Sequence, residues 1–255
     1  MNLRLPIEID GKGITAYAKP VENFLDRLYN RSKRFEGKAK FTRLFECLSW
    51  DRLLVVAALK VLGNTGAYTP GVDGITKGLF LRTFEYQIGE IKKLVKNYSP
   101  NNVFRVYIPK ANGDKRPLGI PVMRDRVIQE AVRMILEAIY EPIFMNNSWG
   151  FRTGRSTQDC LKECFVAMQP HKRMQYVLEF DIRKFFDNVD HKIMWNLLSE
   201  TICDRKFKIL IWRFMKANID DKGIISPCAK GVPQGGVVSP ILANIYLHEF
   251  DKFID

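Results

Sequence analysis

Apolar residues recur at helical spacing along most of the chain. Phe80, Phe84, Ile88, Ile91 and Val95 follow one another at intervals of 4, 4, 3 and 4 residues, the spacing of one buried helix face. The same periodicity predicts further helices within residues 20–63 and over residues 124–140, 190–199, 204–218 and 237–254. The sequence therefore predicts a largely helical protein.

Three shorter stretches have the composition of β-strands. Residues 103–110 and 115–120 are rich in Val, Tyr, Phe and Ile, and Asn112-Gly113 between them is a strong two-residue hairpin signal. Residues 175–180 form an apolar run that predicts a buried strand ending at Asp181. Because these strands do not alternate regularly with helices, the pattern favours the α+β class over a parallel α/β sheet.

Composition and charge point to a folded protein with an anionic partner. Of the 255 residues 46% are hydrophobic, and the formal net charge is +12. The Lys and Arg residues are spread along the chain, which favours nucleic acid as the partner; the alternative is a solubilising surface charge. The five scattered cysteines do not predict a disulfide framework. Such a set of cysteines fits an intracellular, reducing compartment, so we expect a cytoplasmic protein. No segment reaches the roughly 18 apolar residues of a membrane span, so we expect no membrane partner.

Asp181 is the first candidate for chemistry. A carboxylate at the end of a buried strand suits a divalent cation such as Mg²⁺, which takes carboxylate and phosphate oxygens as ligands. The alternative is a helix N-cap or a turn aspartate.

Two further strings can contact a nucleotide or nucleic acid. The Pro-Gln-Gly-Gly string at residues 233–236 precedes a predicted helix, and its glycines permit close backbone approach; alone it is also compatible with an ordinary loop. Arg105, Lys110, Lys115 and Arg116 flank the predicted hairpin turn. Such a basic hairpin can hold a triphosphate or a template backbone, and the alternative is a solvated charged hairpin.

These strings, in this order, resemble the reverse transcriptases encoded by group II introns, a class of retroelement. The resemblance runs from about residue 66 to residue 255 and includes the strings at residues 68–74, 125–131, 148–156 and 180–191. It implies a right-hand polymerase fold: a basic helical N-terminal extension with the fingers in residues 1–120, and an incomplete palm in residues 121–255.

The resemblance also implies the ligands of the catalytic metal. Asp181 would be the catalytic carboxylate and would ligate two Mg²⁺ ions, together with the Ile182 carbonyl. The family carries two further adjacent aspartates on a hairpin after the Pro-Gln-Gly-Gly helix, and this sequence reaches Asp255 before such a pair. Asp220-Asp221 precedes that helix and is interpreted as a solvated turn. We therefore expect a truncated chain that does not extend primers.

Nucleotide contacts follow from the same resemblance. Lys110 and Arg116 match the fingers residues that grip the incoming triphosphate. Phe186 matches the side chain that excludes a 2′-hydroxyl, and Gln234 matches the glutamine that lines the nucleotide site.

The activity that the resemblance implies is that of an RNA-directed DNA polymerase, a nucleotidyltransferase that copies intron RNA in retrohoming. Its partners would be group II intron RNA and, in the full-length protein, an RNA template with a DNA primer and dNTPs. Apolar surface on an incomplete palm also permits a homodimer. A retron or diversity-generating reverse transcriptase is a less favoured class, because the match over residues 68–156 is long.

The alternative function is that of a maturase, which binds its own intron RNA and assists RNA splicing. The residues predicted to bind RNA are basic and lie in the N-terminal helical region. They are Arg27, Arg31, Lys33, Arg34, Lys38, Lys40 and Arg43. The competing interpretation is a charged helix face without a partner.

Overall fold

The computed structural model describes residues 14–109, 113–169 and 176–254. In these ranges the α-helices are α1 Ile14–Arg34, α2 Leu44–Cys47, α3 Asp51–Gly63, α4 Lys77–Arg82, α5 Phe84–Val95, α6 Met123–Tyr140, α7 Thr157–Ala167, α8 Phe185–Asn188, α9 His191–Thr201, α10 Arg205–Met215 and α11 Ser239–Ile254. The strands are β1 Val103–Pro109, β2 Lys115–Ile120, β3 Ile219–Asp221 and β4 Ile224–Ser226. No helix of the described ranges is both long and apolar enough to cross a bilayer.

Helix α6 lies at the centre of the helical part. It packs against α1, α3 and α5 on one side and against α11 on another, so that 15 of its 18 residues are buried. The helix has no internal Gly or Pro, and Ala, Leu, Met, Glu and Arg favour its conformation. Fully buried aliphatic side chains such as Leu53, Leu54 and Leu62 of α3 each contribute about 1.5–3 kcal/mol of transfer free energy.

Most predicted helices are present with small shifts at their ends. The prediction over residues 124–140 is confirmed as α6, and those beginning near residues 190, 204 and 237 are confirmed as α9, α10 and α11. Asp190 caps α9, because its Oδ1 accepts hydrogen bonds from the backbone N–H groups of Lys192 (2.7 Å) and Ile193 (3.1 Å).

The predicted helix over residues 80–95 is two helices, α4 and α5. Thr83 separates them with φ −117° and ψ 27°, and its hydroxyl donates to the Leu79 carbonyl at 2.9 Å. A threonine that bonds back to the preceding turn bends a helix, which explains the break. The five apolar residues of the predicted face are nevertheless all buried.

A four-stranded sheet carries the predicted hairpin. Its strand order is β2-β1-β3-β4, and β1 pairs antiparallel with β2 from Phe104 opposite Ile120 to Pro109 opposite Lys115. Strand β3 pairs parallel with β1, with Val103 opposite Ile219. The sheet thus joins strands from both sides of residue 120, where we divide fingers from palm; that division stays a prediction.

The predicted buried strand over residues 175–180 is wrong for residues 176–180, its described part. These residues form neither helix nor strand, and Tyr176 (90%), Val177 (77%) and Leu178 (89%) are almost fully exposed. A strand persists when its backbone N–H and carbonyl groups pair with a neighbouring strand. No strand of the described ranges lies beside this segment, so apolar composition alone does not make it one.

The interpretation of Asp220-Asp221 as a solvated turn also needs correction. Both residues are half-buried and belong to β3; the turn follows them, at Lys222-Gly223. Asp220 Oδ1 accepts the Gly223 N–H at 2.7 Å, and Asp221 Oδ2 accepts the Tyr107 hydroxyl at 2.5 Å. The aspartate pair therefore ties the β3–β4 hairpin to β1.

Candidate functional site

The predicted hairpin and the Pro-Gln-Gly-Gly loop meet in the fold. The Gly119 N–H of β2 donates to the Gln234 carbonyl at 2.5 Å. Gly235 has φ +101°, and a Cβ there would overlap the Gly119 carbonyl oxygen and come within 2.8 Å of Leu118 Cδ1. Only glycine fits this approach, so the string is needed for the packing of loop on hairpin.

The same loop is also bonded to the segment that follows Asp181. The Val232 N–H donates to the Phe186 carbonyl at 2.8 Å, and the Gly231 N–H donates to the Val189 carbonyl at 2.9 Å. A Cβ on Gly231, which has φ +89°, would lie 2.7 Å from the Phe186 carbonyl oxygen. The hairpin, the segment that follows Asp181 and the Pro-Gln-Gly-Gly loop, which are far apart in sequence, therefore meet in the fold.

Side chains from α6, α9 and α11 form hydrogen bonds to the backbone of the Pro-Gln-Gly-Gly loop and its flanking residues. Gln129 Oε1 accepts the Val237 N–H at 2.9 Å, and Ser239 Oγ donates to the Pro233 carbonyl at 2.8 Å. The buried His191 ring places Nε2 at 2.6 Å from the Gly231 carbonyl oxygen, so Nε2 carries the proton that this hydrogen bond needs. These bonds restrict the loop to one conformation.

A cavity of about 70 Å³ lies where the three strings converge. Its polar lining residues are Arg105, Asp187, Cys228, Lys230 and Gln234. Burial raises the pKa of the Cys228 thiol, and the nearby Arg105 charge partly offsets this. Since ligand pockets usually exceed roughly 300 Å³, this cavity suits one polar group of a ligand and not a whole nucleotide.

Arg105 lines the cavity, although the sequence named it only as one of four basic residues around the hairpin turn. Its Nε is buried and has no hydrogen-bond partner among the described residues, which marks a donor available to a ligand. The signal was present: Val103 and Arg105 are two residues apart on a strand and so face the same side of the sheet. Lys230, which donates to Asn188 Oδ1 at 3.2 Å, carried no comparable signal.

The residues predicted to bind a nucleotide are only partly brought together. Phe186 and Gln234 are half-buried and belong to the bonded loops described above. Arg116 is exposed on β2, opposite Ile108, and does not line the cavity. Lys110 lies outside the described residues.

Asp181 and Ile182 stand on the exposed segment before α8. In the described ranges no group of three His, Cys, Asp or Glu side chains is placed to hold a metal ion. Two-ion chemistry needs several oxygen ligands around ions about 4 Å apart. The described residues therefore do not fit a two-ion Mg²⁺ site, and Asp181 with Ile182 supplies at most part of one.

The predicted RNA-binding residues are all exposed, but their contacts differ. Arg31 donates to the Lys40 carbonyl at 3.1 Å and lies over the Phe41 ring at 5.5 Å, and Lys40 Nζ donates to the Glu200 carbonyl. Arg43 pairs with Glu46 at 2.9 Å. Three of the seven thus have structural partners in the chain.

The remaining basic residues of this set are better placed for an external anion. Arg34 lies over the neighbouring Phe35 ring at 5.7 Å. Arg27, Lys33 and Lys38 are exposed, and within the described residues no ion pair or side-chain hydrogen bond engages them. Together they place exposed positive charge, without an ion pair among the described residues, along the second half of α1 and just beyond it.

Comparison with known proteins adds an independent line of observation. Residues 108–255 match the family described as "Reverse transcriptase (RNA-dependent DNA polymerase)". Protein YkfC of Escherichia coli (strain K12) is 38% identical over 219 residues, which are 84% of this chain and 58% of YkfC. The group II intron-encoded protein LtrA of Lactococcus lactis subsp. cremoris is 39% identical over 246 residues, which are 92% of this chain and 39% of LtrA.

A solved structure shares the fold. One chain of a partial Cas6-RT-Cas1–Cas2 complex superposes with a TM-score of 0.51 and 24% sequence identity, covering 82% of this chain and 34% of that chain. The chain thus spans well under two thirds of the length of each of these proteins.

Proposed function

Because the chain belongs to the reverse transcriptase (RNA-dependent DNA polymerase) family, we propose that it forms the fingers and contributes to the palm of a group II intron reverse transcriptase. We propose further that it binds an RNA template annealed to a DNA primer. The observation that carries this proposal is the convergence of the β1–β2 hairpin, the Phe186 segment and the Pro-Gln-Gly-Gly loop on one cavity.

Different residues are proposed to contact different parts of the substrate. Arg105 and Lys230 supply cations at the cavity, where a phosphate or another acceptor of the substrate can lie. Phe186 presents a half-buried ring beside the loop that carries Gln234, where it limits the space around a nucleotide sugar. Arg116 and Lys110, on the two sides of the hairpin turn, are proposed to approach the triphosphate.

We propose that this chain alone does not extend primers. Mg²⁺ in this family would steady the attacking and leaving oxygens of phosphoryl transfer. Among the described residues, Asp181 is not part of a group of three side chains that could hold a metal ion.

The test is a primer-extension assay of the purified chain with an RNA template, a DNA primer, dNTPs and Mg²⁺. We expect binding of the template–primer, measured by fluorescence anisotropy, without extension. Extension that Asp181→Ala abolishes would overturn the proposed inactivity, whereas failure to bind any template–primer would overturn the proposed function itself.

A maturase role is the second candidate, and the exposed positive charge of Arg27, Lys33 and Lys38 favours it. The experiment compares a group II intron RNA with an unrelated structured RNA of equal length at several salt concentrations. A preference of 100-fold or more for intron RNA, about 2.7 kcal/mol, supports this role. Equal affinities that fall alike with salt indicate a phosphate grip only.

A further inference from the structure

Phe151 combines an exposed aromatic ring with an unfavourable backbone conformation. Its φ is +56°, in the left-handed region, and the residue is 69% exposed. The other described non-glycine residues with positive φ are polar or charged: Glu36, Arg43, Lys184 and Lys222. A bulky apolar residue is rare in this region, and such strain persists only where the surroundings impose it.

The neighbours of Phe151 on both sides impose its conformation. Asn244 of α11 donates to the Gly150 carbonyl at 2.9 Å. The buried Arg152 guanidinium pairs with Glu141 at 2.8 Å and donates to two backbone carbonyls of the same loop. The Thr153 hydroxyl donates to the Glu137 carboxylate. The loop is therefore anchored at residues 150, 152 and 153, on both sides of Phe151, while the Phe151 side chain is 69% exposed.

The ring is held beside the candidate site. Its centroid lies 6.4 Å from that of Phe186, with the planes at 77°. Arg155 of the same loop lies over the Trp149 ring at 5.0 Å, so the loop also carries a cation. The Phe151 ring thus contacts Phe186, whose backbone is bonded to the loop that carries Gln234. An exposed apolar ring at this position suits a ligand with a flat apolar face.

We propose that Phe151 is a nucleobase-binding residue, whose exposed ring stacks with an unpaired base of the bound RNA. This inference rests on the proposed function, because nucleic acid supplies the base. Aromatic stacking is the usual way in which proteins hold unpaired bases, and a strained, rigidly anchored loop places the ring without a further entropy cost on binding.

The test uses three variants of the chain and an RNA template–DNA primer with a single-stranded template overhang. Phe151→Ala removes the ring, and Phe151→Gly removes the ring together with the strain. Phe165→Ala is the matched control, since Phe165 is a similarly exposed phenylalanine (65%) on α7 with a regular helical backbone.

We expect both Phe151 variants to bind about tenfold more weakly, the loss of roughly one stacked base, and Phe165→Ala to bind like the wild type. Phe151→Gly should have an unchanged or higher Tm, because glycine adopts positive φ without strain. Weaker binding together with an undiminished Tm separates a binding role from a structural one.

Photocrosslinking then identifies the source of the base. RNA with 5-iodouridine in the template overhang is irradiated with the protein, and a second sample contains 5-iodo-dUTP instead. Crosslinking of the RNA to Phe151, located by mass spectrometry, supports the proposal. Crosslinking of the nucleotide alone, or wild-type affinity of Phe151→Gly, overturns it. If the wild type binds no template–primer, the proposed function fails and this inference fails with it.

Discussion

Single buried ionic side chains hold the loops of the candidate site without facing it. Arg126 of α6 donates to the carbonyls of Pro121 (2.7 Å), Gly66 (2.9 Å) and Thr69 (2.7 Å) and so fastens two loops to the central helix. Arg152 holds the loop that carries Phe151, because its guanidinium donates to the carbonyls of Met145 and Ser148. We therefore expect substitutions of such residues to change the stability of the fold before they change substrate binding.

Asp125 gives a pH-dependent prediction. It is buried in α6 and accepts the Asn101 N–H at 2.8 Å, and burial raises the pKa of its carboxyl from 3.8 to about 6. Because the folded-state pKa is above the unfolded one, the folded chain binds more protons between these values. This contribution to stability is present below about pH 4 and is lost as pH rises through 6.

The expected loss is on the order of 3 kcal/mol, from about two pKa units at 1.36 kcal/mol each. Urea unfolding at pH 4, 5, 6 and 7 measures it, and Asp125→Asn should remove this part of the pH dependence. Asp190→Asn is the control. The pH dependence of stability that it removes should have the opposite sign, because the backbone N–H groups of Ile193 and Lys192 lower the pKa of Asp190. An Asp125→Asn variant with the wild-type pH profile contradicts the prediction.

Arg152→Met tests the buried ion pair. The Arg152 side chain is 3% exposed, and its loss leaves Glu141 and two carbonyls without their donor. We expect a loss of about 3–5 kcal/mol in the free energy of unfolding, measured by chemical denaturation. Arg43→Met removes an exposed pair with Glu46 and should change stability little. Similar effects of the two substitutions would show that burial does not matter here.

Sequence reasoning at the residue scale worked where a residue has a local partner. Asp190 is such a residue, because the backbone N–H groups that it caps are two and three residues away. Arg105 was named only as one of four basic residues of the hairpin, and Arg152 had no assigned role, because their neighbours include residues from distant parts of the chain. The roles of Asp181, Arg116, Gln234 and Phe186 remain predictions.

At the scale of elements, the packing of the Pro-Gln-Gly-Gly loop on the hairpin is the feature that sequence spacing did not define. Gly235→Ala should destabilise the fold by more than Gly223→Ala. Both residues have positive φ, so both substitutions add backbone strain of about 1–2 kcal/mol. Only at Gly235 does the added Cβ also overlap backbone and Leu118.

Thermal unfolding of the two variants measures the difference. We expect Gly235→Ala to lose about 1–3 kcal/mol more, the usual range for overpacking. Equal losses would mean that the loop moves away from the hairpin at no cost, and the proposed site would lose its geometric basis.

The exposed basic residues of α1 and of the segment just after it give a prediction on RNA binding. Replacing Arg27, Lys33 and Lys38 together by Gln removes three charges. If each contacts a phosphate of single-stranded RNA, the slope of log K against log salt should become shallower by about 2, from roughly 0.7 per contact.

A second triple variant controls for net charge. Lys192, Arg205 and Lys206 are also exposed, on α9 and α10, and their replacement by Gln changes the formal charge equally. Anisotropy titrations at several salt concentrations measure both slopes. An equal change in the two variants would assign the salt dependence to overall charge and not to the α1 residues.

Helices and strands were predictable where the sequence pattern is local. Predictions failed where an element depends on a neighbouring strand. The β1–β2 hairpin follows from two apolar runs around Asn-Gly. Its register differs from the two-residue turn that Asn112-Gly113 indicates, because the last pair, Pro109 with Lys115, leaves five residues between the strands. The three-residue strands β3 and β4 are too short to produce a periodic signal. Residues 176–180 have strand composition but no adjacent strand in the described ranges, so their apolar side chains stay exposed.

At the scale of the whole molecule, family and fold agree. The resemblance to group II intron reverse transcriptases is confirmed by the family match over residues 108–255 and by LtrA among the relatives. The fold resemblance to the reverse-transcriptase-containing complex is independent of close sequence identity. The chain spans 39% of LtrA and 58% of YkfC, so activities of the longer proteins are proposals for this one.

The central claim is that this chain binds the substrate of a reverse transcriptase and not merely any polyanion. The most direct measurement compares its affinity for an RNA template–DNA primer with an unpaired template overhang against a blunt DNA duplex of equal charge, at about 0.15 M salt. We expect at least tenfold tighter binding of the template–primer, with the difference retained as salt is raised. Equal affinities with equal salt slopes would contradict it, because phosphate contacts alone would then account for all the binding.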